Sequence, residues 1–148
     1  MSDAVPVARV LAADDHPQGL ELLEAYLAST PHDVRTASNG EDTLRIAQEW
    51  KPDVLLLDVM MPRMSGFEVC KRLRADEATR GISILMITAL DQPSDVERAV
   101  EAGTDDFMTK PIDQAELLLR LSAILKSRKV ASEPERTISY IESVQQSS

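Results

Sequence analysis

Apolar and polar positions alternate along this chain in two distinct rhythms. Short, predominantly apolar runs recur at residues 7–13 (VARVLAA), 53–57 (DVLLL) and 82–87 (ISILMI), with weaker ones at 33–37 (DVRTA) and 105–109 (DDFMT). Runs of this length and continuity predict strands. Between them the spacing becomes helical. GLELLEAYLAS puts Leu20, Leu23 and Leu27 on one stripe behind Pro17, a residue favoured at a helix start. EDTLRIAQEW does the same with Leu44, Ala47 and Trp50, before Pro52. A third helix is predicted from Phe67 to Asp76. A fourth, capped by Asp91 or Ser94 and stopped by Gly103, carries Val96, Ala99 and Val100. The fifth, from Gln114 to Arg128, turns Leu117, Leu118, Leu121, Ile124 and Leu125 inward.

Strand and helix alternating five times predict an α/β fold with a parallel sheet covered on both faces. Right-handed crossovers leave few windings. The expected one is the flavodoxin-like, doubly wound order 2-1-3-4-5 with five helices. Ligands in such sheets sit at the carboxyl ends of the strands, where the winding reverses. Four strand ends here carry chemistry: Asp14 and Asp15, then Asp58, then Thr88, then Lys110-Pro111. An unpaired charge beside a buried strand costs several kcal/mol, about enough to make one such ending unusual. Four of them describe a single assembled site.

Adjacent parallel strands lie about 4.8 Å apart, which brings Asp14 or Asp15 and Asp58 into one crevice. Carboxylates that close raise each other's pKa unless a cation joins them. Mg2+ suits one or two carboxylates with water and phosphate. Lys110 adds a point charge for phosphate oxygens, and Thr88 a hydroxyl donor. An aspartate in that setting is a phosphoryl acceptor that needs no general base. Taken singly, each residue has a plainer role: a helix cap, a turn residue, a strand-end hydroxyl, a solvated lysine. Their joint placement carries the reading.

Composition narrows the class. The 148 residues fit one domain, and 3% aromatics leave the core to Leu, Ile, Val, Ala and Met. A net charge of −9 repels a phosphate backbone, which argues against nucleic acid as a direct partner. Cys70 is the single cysteine, so no internal disulfide forms, and its place in FEVCKRL reads as a packed helix residue. No run approaches the roughly 20 apolar residues of a membrane span, and MSDAVPVARV lacks a secretory pattern. The expectation is a soluble, cytoplasmic protein without membrane contact.

The motifs LAADDHP, LLLDVMMPRMSGFEVCKRLR, ILMITA and AGTDDFMTKP resemble the receiver domain of bacterial two-component response regulators, over about residues 8–127. The resemblance implies that Asp58 accepts a phosphoryl group from a histidine kinase or histidine phosphotransfer protein. It implies that Asp15, Asp58 and the main-chain carbonyl of Met60 hold Mg2+, with Asp14 acting through water. Thr88, Ala89 and Lys110 would bind the phosphoryl group, and the Lys110–Pro111 bond would be cis. Thr88 and Phe107 would form the switch pair that reshapes a partner-binding surface.

Met60 and Leu90 flank the expected path of an attacking water, and neither can orient it by hydrogen bonding. Slow self-dephosphorylation is the expectation. An aspartyl-phosphate hydrolase, the reading from another class, would carry an aspartate where Met60 stands. The protein is therefore expected to be a signalling switch acting on itself alone, not a turnover enzyme.

Residues 1–130 are read as the receiver domain, and 131–148 as a tail that is disordered or a short helix. About 20 residues after the last helix are too few for an output domain, so a stand-alone or phosphorelay receiver is expected. The alternative is the receiver of a longer regulator with cyclic-di-GMP output, which the VMMPRMSGFEVCKRLR stretch resembles. The kinase is expected to dock near Leu20, Leu23 and the Pro111 loop, and a downstream protein to read the switched surface. Asp106 and Arg120 match positions of inter-subunit ion pairs in dimerising relatives. Val96 stands where those relatives often have a basic residue, which leaves homodimerisation open.

Overall fold

The computed structural model describes residues 7–131, with side chains to residue 128. The tail reading therefore lies outside the described residues. Strands β1 (Arg9–Ala13), β2 (Asp33–Ala37), β3 (Val54–Asp58), β4 (Ser83–Thr88) and β5 (Asp106–Thr109) alternate with helices α1 (Pro17–Leu27), α2 (Gly40–Trp50), α3 (Gly66–Ala75), α4 (Pro93–Ala102) and α5 (Gln114–Ala131). All pairings are parallel, in the order β2-β1-β3-β4-β5. The expected winding is the observed one.

The hydrophobic pattern decides which strand goes where. Strands β3 and β4 are buried almost throughout and fill the middle. Strand β2 alternates between exposed and half-buried positions and takes an edge; the four-residue β5 takes the other. Along β3 successive side chains part to opposite faces. Leu55 and Leu57 join Ala47, Trp50, Phe67, Leu73 and Ala99 of α2, α3 and α4. Val54 and Leu56 join Leu23, Leu27, Leu117, Leu121 and Leu125 of α1 and α5. The sheet thus has a core on each face, and its strand ends emerge along one rim.

Several boundaries move for local reasons. Asp53 does not enter β3, because its N–H donates to the Arg9 carbonyl at 2.8 Å and its carboxylate accepts the Arg9 N–H at 2.9 Å. Asp105 is withheld from β5 likewise: its carboxylate accepts the Ile84 N–H at 2.7 Å and an Arg74 N–H at 2.8 Å. Neither Asp91 nor Ser94 caps α4. Pro93 occupies the first turn, so Gln92 is the cap, and the Asp95 carboxylate accepts the Gln92 N–H at 3.1 Å. Gly103 does end α4, at φ 101°. Ser65 caps α3 through its hydroxyl, which accepts the Glu68 N–H.

Cys70 is fully buried, as its helical spacing predicts, and its thiol donates to the Ala102 carbonyl. Burial pushes that thiol up to about 11, so it stays protonated and unreactive.

Candidate functional site

Four of the five strand ends, those of β1, β3, β4 and β5, present polar residues on the same rim. Asp58 closes β3, Thr88 closes β4, Asp14 and Asp15 follow β1, and Lys110 follows β5. The lysine is anchored by its own backbone, whose N–H donates to the Thr88 carbonyl at 2.8 Å. From there its side chain crosses the rim, with Nζ 3.3 Å from Asp14 Oδ2 and 3.4 Å from Asp58 Oδ2. One ammonium joins two carboxylates that are 1% and 3% exposed. The Lys110–Pro111 bond is cis, as the resemblance implies.

The other carboxylate oxygens are held by backbone. Asp14 Oδ1 accepts the His16 N–H at 2.9 Å, and Asp58 Oδ1 accepts the Met60 N–H at 3.1 Å. These contacts give the two acids different chemistry. Burial pushes the Asp58 carboxyl up to about 6, and the Asp14 charge adds to that; the Met60 N–H and Lys110 offset it only in part. At Asp14 burial pulls the same way, but the His16 N–H and Lys110 outweigh it and the pKa falls below the usual value. Asp14 is the fixed anion of the pair, and Asp58 the acid that burial leaves poorly compensated.

Asp15 shows what is missing from this balance. Its Oδ1 is shielded from solvent and accepts no hydrogen bond. His16 Nδ1 lies 3.1 Å away, without hydrogen-bond geometry. An orphaned carboxylate oxygen beside two further acids is the donor set that a hard divalent cation completes. Asp14, Asp15, His16 and Asp58 each offer an atom within 4.8 Å of the others. The residues therefore fit Mg2+.

Thr88 is fully buried and its hydroxyl accepts the Leu90 N–H at 3.3 Å. Ala89 is exposed and Phe107 half-buried against the α2–α4 core. Thr88 and Ala89 sit at the carboxyl end of β4 on the rim, Phe107 lies two residues before the end of β5, and none of the three bonds to the site's carboxylates. Met60 and Leu90 line one cleft that opens beside Asp15, in the company of Phe67 and Arg98, whose guanidinium lies 4.3 Å over the Phe67 ring.

One expected docking residue is corrected. Leu23 is 3% exposed and belongs to the α1–α5 core; its neighbour Leu22 is the exposed one, Leu20 is half-buried, and Pro111 is exposed. The α1 stripe faces the sheet, so its innermost leucine has no free surface. Asp106 and Arg120 pair within the chain, at 2.9 Å. Two glycines that the hydrophobic pattern does not single out also build the site. A Cβ on Gly19 would collide with the Asp14 carboxylate. One on Gly66 would lie 2.5 Å from the Asp58 carbonyl oxygen. A glycine inside a first helical turn costs about 0.5–1 kcal/mol, and that cost is the signal of a close approach.

A doubly wound sheet whose rim joins three aspartates, a lysine and a strand-end threonine defines a phosphoryl-accepting signalling domain. The model of the response regulator receiver domain matches residues 10–122, and the chain belongs to that family. It is 43% identical to the response regulator PleD of Caulobacter vibrioides over 126 residues, which are 85% of this chain and 28% of PleD. Protein PilH of Pseudomonas aeruginosa is 37% identical over 119 residues, 80% of this chain and 98% of that protein. The solved chemotaxis protein CheY4 of Vibrio cholerae superposes with a TM-score of 0.77 at 32% identity, over 81% of this chain and all of that one. The chain spans about half or less of the length of the first curated relatives it matches. Receiver domains work with kinases and downstream effectors, and bind Mg2+ at an acidic pocket. No helix among the described residues is long and apolar enough to cross a membrane.

Proposed function

We propose that Asp58 is the phosphoacceptor of a two-component pathway, and that its phosphorylation alters a partner-binding surface. The supporting observation is the Lys110 ammonium, placed between Asp14 and the raised-pKa carboxyl of Asp58. An Asp58 oxygen attacks the phosphorus of a phosphohistidine. The P–N bond breaks, its electron pair returns to the imidazole, and that nitrogen takes a proton from water. Asp15 and Asp58, with the Met60 carbonyl and with Asp14 acting through water, would hold Mg2+, which when bound supplies charge neutralisation for the carboxylates and phosphoryl oxygens. Lys110 orients the Asp58 carboxylate and afterwards neutralises the phosphoryl group. The Thr88 hydroxyl, now accepting from Leu90, is the group free to donate to a phosphoryl oxygen, with Ala89 leaving room; Phe107 follows Thr88 inward as the second half of the switch.

The donor is a histidine kinase or phosphotransfer protein, docking at Leu20, Leu22 and the Pro111 loop. The switched surface engages a downstream protein. The domain spans residues 1–130 and catalyses only its own phosphorylation and dephosphorylation. Incubation with Mg2+ and acetyl phosphate, followed by intact-mass measurement, is expected to show a gain of one phosphoryl group on the wild type. Sustained phosphate release without that gain would overturn the reading in favour of a hydrolase.

Decay of the phosphorylated form is expected to be slow. Met60 is 53% exposed and borders the same cleft as Leu90, and neither side chain holds a water by hydrogen bonding. Installing Met60→Asn together with Leu90→Glu supplies that missing acceptor. The decay rate of phospho-Asp58, followed by mass spectrometry at constant Mg2+, is expected to rise about tenfold or more, in the range of a positioned polar group. An unchanged rate would show that water orientation at these two positions does not limit the reaction.

A further inference from the structure

We propose that His16 is a fourth donor to the cation site, through Nδ1, and that it tilts the site from Mg2+ towards borderline transition ions such as Ni2+. The inference rests on Asp14, Asp15 and Asp58 being that site, and adds to it a residue outside the set implied by family resemblance.

His16 occupies the N-cap of α1, at φ −95° and ψ 121°, with Pro17 directly after it. A side chain at this position ordinarily accepts a hydrogen bond from the first turn of its helix. The imidazole of His16 makes no such bond. It turns to the acids instead: Nδ1 shares a hydrogen bond with Asp14 Oδ1 at 3.3 Å and lies 3.1 Å from Asp15 Oδ1 without hydrogen-bond geometry. Two donors bound at right angles to one ion by bonds of about 2.1 Å stand about 3.0 Å apart. The 3.1 Å separation from the Asp15 oxygen is close to that spacing. That oxygen is the one shielded from solvent without a hydrogen-bond donor. Geometry and the unsatisfied oxygen therefore point to the same place for an ion.

Ligand chemistry sets which ion. Carboxylate oxygens suit Mg2+, Ca2+ and Mn2+, whereas an imidazole nitrogen favours Ni2+, Cu2+ and Zn2+. Mg2+ gives up its waters reluctantly and gains little from a nitrogen donor. The His16 side chain is 68% exposed, so it can close on an ion without disturbing packed neighbours.

Calorimetric titration of the full chain with Mg2+ and with Ni2+, at one fixed pH of about 8, tests this. The proteins compared are wild type, His16→Ala, His32→Ala and Asp58→Asn. His16→Ala is expected to weaken Ni2+ binding about tenfold or more while leaving Mg2+ within about twofold. His32→Ala, which removes the other histidine, is expected to change neither. If His16→Ala weakens both ions equally, or neither, His16 is not a ligand and the inference falls while the cation site stands. If Asp58→Asn leaves both affinities intact, the cation site itself is misplaced and the inference falls with it.

Discussion

Asp58→Asn is expected to abolish phosphoryl uptake and, in metal-free buffer at pH 8, to raise the melting temperature by about 3–6 °C. The first effect follows from the loss of the attacking carboxylate oxygen, since an amide offers no nucleophile of that kind. The second follows from burial. Asp58 is 3% exposed and its carboxyl is pushed up to about 6 from an ordinary 3.8. A group whose pKa is higher in the folded state favours folding fully below its unfolded value, and that contribution is lost as pH rises through the folded value. At pH 8 the fold must therefore carry a charge it compensates poorly. Two units at about 1.4 kcal/mol each set a ceiling near 3 kcal/mol, and water entering the cleft lowers it to about 1–2 kcal/mol. For a chain of this size each kcal/mol moves the midpoint by about 2–4 °C.

Asparagine keeps the shape and can still accept the Met60 N–H, so it removes the charge without removing the contact. The advantage should fade as pH drops below about 6, where wild-type Asp58 protonates. It should shrink also on adding Mg2+, which binds and stabilises the wild type by mass action. Thermal melts at pH 8 and pH 5, with EDTA and with Mg2+, check both trends. An asparagine variant that melts lower than wild type at pH 8 in EDTA would show that Asp58 is not penalised by its surroundings.

The strand ends were the legible part of this molecule. Asp14, Asp15, Asp58 and Lys110 stand out because a charge after a buried apolar run has to find a partner; Lys110 joins Asp14 and Asp58 on the shared rim, and the unpaired Asp15 oxygen is left for a cation. The winding was legible for a related reason: β1, β3 and β4 are apolar enough to sit inside the sheet, and β2 and β5 are not. What local pattern could not supply were contacts set by distant segments. Arg74 ties the end of α3 to the Gly103, Arg80 and Ile82 carbonyls and to the Asp105 carboxylate. Nothing in KRLRA distinguishes that arginine from its solvated neighbours. Leu23 is a similar case, since helical spacing names the stripe but not how deeply each leucine sinks. The cap of α4 was readable in principle: Pro93 prefers the first helical position, which makes Gln92 the cap whatever the hydroxyl and carboxylate preferences nearby.

Gly66→Ala should be the most damaging single methyl that can be added near the site. A Cβ there would stand 2.5 Å from the Asp58 carbonyl oxygen and 2.7 Å from Val59 Cα, and both are backbone atoms with no rotamer to yield. The chain is pinned on each side. The Gly66 N–H donates to the Val59 carbonyl at 2.9 Å, and Ser65 caps α3 one residue earlier. Relief therefore requires β3 and the start of α3 to separate. That movement carries the Asp58–Met60 turn with it and loosens the 3.1 Å bond that orients the Asp58 carboxylate. Overpacking of this kind costs about 1–3 kcal/mol. The corresponding drop in melting temperature is about 3–10 °C. Displacing reacting groups by about 1 Å can cost 100-fold in rate, so phosphorylation by acetyl phosphate is expected to slow by about tenfold or more even where the variant remains folded. Gly81→Ala supplies the control, because a Cβ at Gly81 meets nothing within 4 Å. Melting temperature and phosphorylation rate measured side by side decide the matter. Equal behaviour of the two variants would mean that the loop after Asp58 is slack, and that the carboxylate owes its position to Lys110 alone.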